Sequence, residues 1–341
     1  MILRLGTSLA EQGMIPNKLL RWGIRSLIQR RIRELNEESK AEFIQELLSS
    51  PIAIATEAAN EQHYEVTSQF FELVLGGRLK YSACYWPDGV ETLSEAEEAS
   101  LAQVCERADI HDGQNILDLG CGWGSFSLYA AKHYPNAKIT SVSNSESQRR
   151  YIQSYESPQI EALTADINSL DLDEKFDRIV SIEMFEHLRN YRSLFGRLAR
   201  WLEPGGKVFV HVFCHRSFPY PFDTIGDHNW MGRYFFTGGI MPSIDLFHCF
   251  NEHLSVEAEW ALDGTHYQRT AASWRENLEA NRHKLLPVLK NVYRKDAEKW
   301  LHRWKLFFLA CEELFGYRNG TEWLVGHYRF STTRKTGYPP A

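Results

Sequence analysis

The stretch Ile116-Leu117-Asp118-Leu119-Gly120-Cys121-Gly122-Trp123-Gly124 constrains this chain more than any other. The apolar residues around Asp118 read as a buried strand, three glycines alternate in the turn after it, and residues 125–131 open a helix. Strand, glycine turn and helix together present backbone N–H groups to a ligand at the carboxyl edge of a doubly wound sheet. The spacing alone is compatible with a dinucleotide, because Ser125, three positions after the second glycine, is small. Asp118 argues for a different ligand. A carboxylate two residues before the first glycine repels a pyrophosphate and suits an ammonium group, such as that at the amino-acid end of S-adenosylmethionine.

From residue 111 the pattern becomes regular. Strands at 115–119, 137–142, 160–163, 176–182 and 206–213 alternate with helical stretches at 124–133, 145–155 and 190–202. This predicts an α/β fold with a mostly parallel, Rossmann-like sheet. Pro204-Gly205-Gly206 reads as the turn feeding the fifth strand; a strand at 253–260, two long helices within 268–316 and a last strand at 321–331 follow. A length of 341 residues allows about two domains, and the expected division is a helical N-terminal cap, 1–110, before a ligand-binding domain with substrate-binding insertions, 111–341.

Within the cap, residues 17–33 carry six Lys or Arg residues and no acid, with apolar residues at helical spacing. A helix packed on the main body with a solvated basic face is favoured over one that touches anionic lipid. A net charge of −6 argues against a general grip on nucleic acid. Six cysteines without a CxxC spacing suggest buried thiols in a reducing compartment and no zinc site. No apolar run approaches the ~20 residues needed to span a bilayer, so a cytoplasmic location is expected, with no metal. A homodimer is left open.

At the sheet edge the second strand ends in Ser143-Asn144, with no acid until Glu146, so Asn144 and Gln148 are the candidates to meet a ribose. Asp166 follows the third strand, where it can accept from an adenine amine while Ile167 covers the ring; a turn or cap role is the competing reading. The fourth strand runs into Glu183-Met184-Phe185-Glu186-His187. A helical turn there puts Glu183, Glu186 and His187 on one face, a cluster able to take a proton from a nucleophile. His211 ends the fifth strand near the same edge, and Tyr267 opens a late helix. The aromatic loop Tyr81-Ser82-Ala83-Cys84-Tyr85-Trp86 reads equally well as a plug or a cavity wall.

Taken jointly, HYEV at 63–66, YSACYW at 81–86, ILDLGCGWG at 116–124, EMFEH at 183–187 and HYQRT at 266–270 resemble the family of cyclopropane-fatty-acyl-phospholipid synthases and plant coclaurine N-methyltransferases. The resemblance implies a class I S-adenosylmethionine-dependent methyltransferase with a helical N-terminal cap and helical insertions. It also implies cofactor contacts from Tyr64, Ser82, Gly120, Gly122, Asn144, Gln148, Asp166, Ile167 and Val180, beside Asp118. Within the family this chain resembles the N-methyltransferase branch. Ala83 stands where the synthases have the cysteine of their bicarbonate site, Phe213 where they have a small aliphatic, Glu183 where they have glycine, and Glu65 where they have Asp. Glu186, His211 and Tyr267 match the remaining bicarbonate positions.

The branch implies a small, aromatic, isoquinoline-like amine as substrate. Glu186 and His187 would accept its proton, Glu183 and Glu65 would hold the ammonium, and Trp230, Phe235 and Phe236 would pack the ring. The rivals are a lipid-modifying enzyme of the synthase branch and a cofactor-binding protein that has lost catalysis.

Overall fold

The computed structural model describes residues 2–54 and 66–333. Among the described residues there are nine strands: β1 (Asn115–Leu119), β2 (Lys138–Ser143), β3 (Ile160–Thr164), β4 (Phe176–Ile182), β5 (Leu202–His215), β6 (Tyr220–Pro221), β7 (Ile240–Met241), β8 (Leu254–Leu262) and β9 (Trp323–Thr332). Seven form one sheet in the order β3-β2-β1-β4-β5-β9-β8, and β6 pairs with β7 beside it. The first five are parallel to one another; β9 runs antiparallel between β5 and β8. The chain passes from β1 outward to β2 and β3, then returns to lay β4 on the other flank of β1. The carboxyl ends of β1 and β4 therefore border the switch point where such sheets open a crevice.

Local chemistry explains the elements. β1 and β4 are buried along nearly their whole length because helices cover both faces of the parallel sheet. One core joins β4 and β5 to helix Tyr191–Trp201, and another joins the opposite face to Leu93–Arg107 and Ser125–His133. A third, rich in Phe and Trp, lies between Ser68–Val74 and the late helices. Those late helices number three: Thr265–Ala280, Arg282–Tyr293 and Ala297–Phe315. The two long helices expected become three because Asn281 interrupts the first with a non-helical backbone and Arg294, at φ +51°, stops the second. β5 also begins earlier than the glycine turn suggested, at Leu202.

The basic helix, Asn17–Glu34, lies on Ala297–Phe315. Arg21 pairs with Glu312 and Glu313, and Arg25 with Glu313, two carboxylates buried on the late helix. From helix Ile2–Glu11, Glu11 accepts from the largely buried Arg303 at 3.0 Å. Removing one partner of a buried pair of this kind costs about 3–5 kcal/mol. Asn36 and Ser39 cap each other to start Glu37–Ser49, and the chain beyond it reaches the sheet edge, where Ala53 bridges Leu188. Five of the six cysteines are buried; Cys249 is exposed, against expectation, after a short helical turn at the surface. Among the described residues no helix is long and apolar enough to cross a membrane.

Candidate active site

A cleft opens at the carboxyl edge, walled by Gly120 and Gly122 after β1, Asn144 and Gln148 after β2, and Asp166 and Ile167 after β3. Glu183, Met184 and His187 after β4 close its far side, with Ala53 and Ile54 across from them. Two observations fit a nucleoside ligand here. Gly122 has φ +53° and a Cβ built on it would meet nothing within 4 Å, so its backbone faces open space. Gln148 is buried, its Oε1 accepts from Ser143 Oγ at 2.6 Å, and its Nε2 is left without a hydrogen-bond partner. An unspent donor of that kind invites a ligand acceptor. Gly120 is needed for a different reason: at φ +82°, an added Cβ would sit 2.7 Å from Met184 Cγ.

Other sequence candidates are placed elsewhere. The Asp118 carboxylate is buried and accepts from Ser127 Oγ at 2.5 Å, bracing β1 against the helix behind it; it is not on the cleft wall. Burial pushes its pKa up to about 7, with the Ser127 hydrogen bonds pulling back. The internal hydrogen bond from Ser127 is the contact the structure gives this carboxylate. Val180 lies inside the sheet core, and Ser82 Oγ accepts from the buried Lys80 ammonium at 2.7 Å. Asp166 walls the cleft and accepts the Asn168 N–H at 2.7 Å, the contact of its turn role. Tyr64 and Glu65 lie outside the described residues.

Around Glu183 the structure gathers residues from three other parts of the chain. Glu183 leaves β4 in the left-handed region, at φ +47°, with its N–H on the His211 carbonyl at 2.8 Å. That kink, followed by a short turn at Phe185–His187, replaces the single helical face expected for Glu183, Glu186 and His187. The Glu183 carboxylate accepts from the Ala83 N–H at 2.8 Å and the Tyr267 hydroxyl at 2.8 Å, with His211 Nε2 at 3.3 Å. His211 and Tyr267 therefore act on Glu183, not on the cleft wall. The aromatic loop is a plug: the Cys84 N–H and Trp86 Nε1 donate to Thr270 Oγ1, leaving the Ala83 N–H for Glu183.

Glu186 is also fully buried, yet differently served. Its Oε1 accepts the Phe213 N–H at 2.8 Å, and its Oε2 has no hydrogen-bond partner. Burial pushes Glu183 up to about 7, opposed by Lys80, the Ala83 N–H and Tyr267. Burial and the charge of Glu183 hold Glu186 well above the usual carboxylate range. Desolvation lowers His187 to about 4, so its imidazole is neutral near pH 7. His187 stacks on Phe236 at 5.7 Å and 10°. Phe235, by contrast, is stacked on Phe307 at 4.2 Å inside the helical core, and Trp230 donates to Glu11 at 2.9 Å. Trp230 walls a separate apolar cavity of about 600 Å³ under the N-terminal helices. Sequence reasoning missed Lys80 and Met184; a lysine just before YSACYW and a methionine inside EMFEH gave no chemical signal.

A glycine turn at the switch point, an unspent amide donor beside it and an acidic cluster across the cleft define a class I S-adenosylmethionine-dependent methyltransferase. The family model of mycolic acid cyclopropane synthetase matches residues 53–322, and the chain belongs to that family. It is similar to (S)-coclaurine N-methyltransferase of Thalictrum flavum subsp. glaucum, at 36% identity over 94% of this chain and 93% of that protein. It superposes on a crystal structure of coclaurine N-methyltransferase bound to N-methylheliamine and SAH with a TM-score of 0.90 at 35% identity, covering 95% of this chain and 98% of that one. The cyclopropane-fatty-acyl-phospholipid synthase of Escherichia coli (strain K12) is more distant, at 28% identity over 78% of this chain and 66% of that protein.

Proposed function

We propose that the chain transfers a methyl group from S-adenosylmethionine to the nitrogen of a small, aromatic, isoquinoline-like amine, in the cytoplasm, with residues 1–110 serving as a cap. The observation that carries this reading is the acidic turn after β4: Glu183 and His187 wall the cleft, and Oε2 of the buried Glu186 between them in sequence has no hydrogen-bond partner. Gly122, Gln148 and Asp166 would hold the cofactor, which supplies an electrophilic sulfonium methyl when bound.

The chain's own task is to bare the amine's lone pair. An alkylammonium gives its proton up poorly to a carboxylate of ordinary acidity. Glu186, raised by burial and by Glu183, is a better-matched acceptor. His187 offers a second acceptor or orients the amine through its ring. Glu183 keeps negative charge near the nitrogen while its oxygens are occupied by protein donors. Activity should therefore rise as the buried pair loses its proton, Glu183 at about 7 and Glu186 raised by the charge of Glu183, whereas His187, neutral above about 4, adds no limb there. Phe236, stacked on His187, would offer its ring to a planar substrate.

The test is methyl transfer from labelled cofactor to a panel of cyclic secondary amines, tetrahydroisoquinoline among them, against vesicles of unsaturated phospholipid. Labelled N-methyl product from an amine is expected. Label found only in the acyl chains would overturn the proposal in favour of the synthase branch.

A further inference from the structure

Behind Glu183 a line of polar side chains runs through the sheet to the end of a helix. β5 and β9 pair in a register that sets His211 opposite His327, and β8 sets Trp260 opposite His327 in turn. His327 Nε2 lies 2.8 Å from His211 Nδ1, and Arg107 Nη1 lies 2.7 Å from His327 Nδ1. Arg107 is the last residue of Leu93–Arg107, and its guanidinium sits over the Trp260 ring at 5.1 Å. Both histidines are almost wholly buried.

Hydrogen-bond chemistry leaves one arrangement of protons. Arginine only donates, so His327 Nδ1 must accept and its proton must be on Nε2. That proton points at His211 Nδ1, which must accept in its turn, placing the His211 proton on Nε2, toward Glu183 Oε1. Neither ring can be cationic without setting a donor against a donor. One guanidinium thus fixes three hydrogen bonds and ends the line with a donor on Glu183.

We propose that Arg107 and His327 are positioning residues for the methyl transfer. Through His211 they hold Glu183 ionised, so that the proton taken from the amine settles on Glu186. The proposal rests on Glu186 as the proton acceptor. The other groups facing the pair are Lys80, Tyr267, His187, Cys84 and Cys311 around Glu183, and Tyr191 and Cys214 around Glu186. Lys80 and Arg107 face His211. Of these, Arg107 is the one that sets the direction of the line, because Lys80 is hydrogen-bonded to Ser82 and the Ala83 carbonyl.

The experiment has two arms. In the unaltered enzyme, ¹⁵N spectra of the imidazoles should show His211 and His327 as neutral Nε2–H tautomers throughout the neutral range. In Arg107→Met, freed from the fixed donor, His327 should populate the Nδ1–H form. The acidic limb of kcat/KM for tetrahydroisoquinoline should then move up by about one pH unit, the worth of a hydrogen bond to a charged group. Arg107→Lys, which restores a donor, should move it less than half as far. A limb that stays put in Arg107→Met, or an Nδ1–H tautomer on either ring of the unaltered enzyme, overturns the relay whatever Glu186→Gln does. Full activity of Glu186→Gln overturns the acceptor reading instead, and the tautomer spectra still decide the relay on their own.

Discussion

Along β1, β2 and β3 the cleft is walled by residues that follow their strands within five positions: Gly120 and Gly122, Asn144 and Gln148, Asp166 and Ile167. Beyond β4 the groups that matter are collected from residues 83, 107, 211, 267 and 327, and the carboxylate they surround leaves its strand through a left-handed residue. The first side needs little more than strand order and a glycine turn, because these alone turn backbone N–H groups toward the crevice at a strand end. The second depends on sheet register and on desolvation, which set the protonation states of buried carboxyls. A fold can therefore present a nucleoside site almost for free, while the chemistry at its other wall is specified by long-range contacts.

Glu183 and Glu186 sharpen the contrast. Three residues apart and both buried, they differ in what protein donors reach them: three for Glu183, one for Glu186. The largest expected effect follows from that difference. Glu186→Gln should lower kcat at neutral pH by about 10²–10⁴-fold, the usual worth of a proton acceptor, and leave affinity for S-adenosylhomocysteine unchanged by calorimetry. His187→Ala should act in the same direction by a smaller factor, since Glu186 remains and groups sharing one proton are not additive. Unaltered kcat in both would remove the distinction between the two walls.

A second prediction separates the two carboxylates. Glu183→Gln keeps the shape but loses the charge that holds an ammonium in the ground state, so the amine KM should rise, by about tenfold, more than kcat falls. Equal loss in kcat alone would give Glu183 the acceptor role instead. On the cofactor wall, Gln148→Leu removes one buried donor and should weaken S-adenosylhomocysteine by about tenfold, with the pH profile of the amine reaction unmoved. The smallest effect is expected at Asp118. Asn there still accepts from Ser127, so Asp118→Asn should leave cofactor affinity within about twofold, less than one hydrogen bond's worth; a large loss would put the carboxylate back in contact with the ligand.

Much of this was legible beforehand. The strands and helices from 115 to 201 fall within a residue or two of where hydrophobic alternation put them, because β1 and β4 are buried on both faces and most of their residues are apolar. The glycine turn and the residues after β2 and β3 were readable for the same local reason. What escaped was whatever depended on side-chain direction or register. The hydrogen bond from Ser127 to the Asp118 carboxylate shows in no spacing rule. Phe235 and Phe236 are adjacent, yet one is lost to the core and the other meets His187. Arg107 and His327 belong to no motif; only the pairing of β5 with β9 brings His327 to His211.

The pH dependence of the Glu186→Gln deficit tests the account most directly. Single-turnover methyl transfer to tetrahydroisoquinoline would be followed in the unaltered enzyme and in Glu186→Gln, from neutral pH to beyond the pKa of the amine. If Glu186 uncovers the lone pair, the gap between the two enzymes should close as solvent supplies the free amine. A gap of the same size at every pH, or none at neutral pH, would contradict proton acceptance by Glu186 and leave positioning as the role of the acidic cluster.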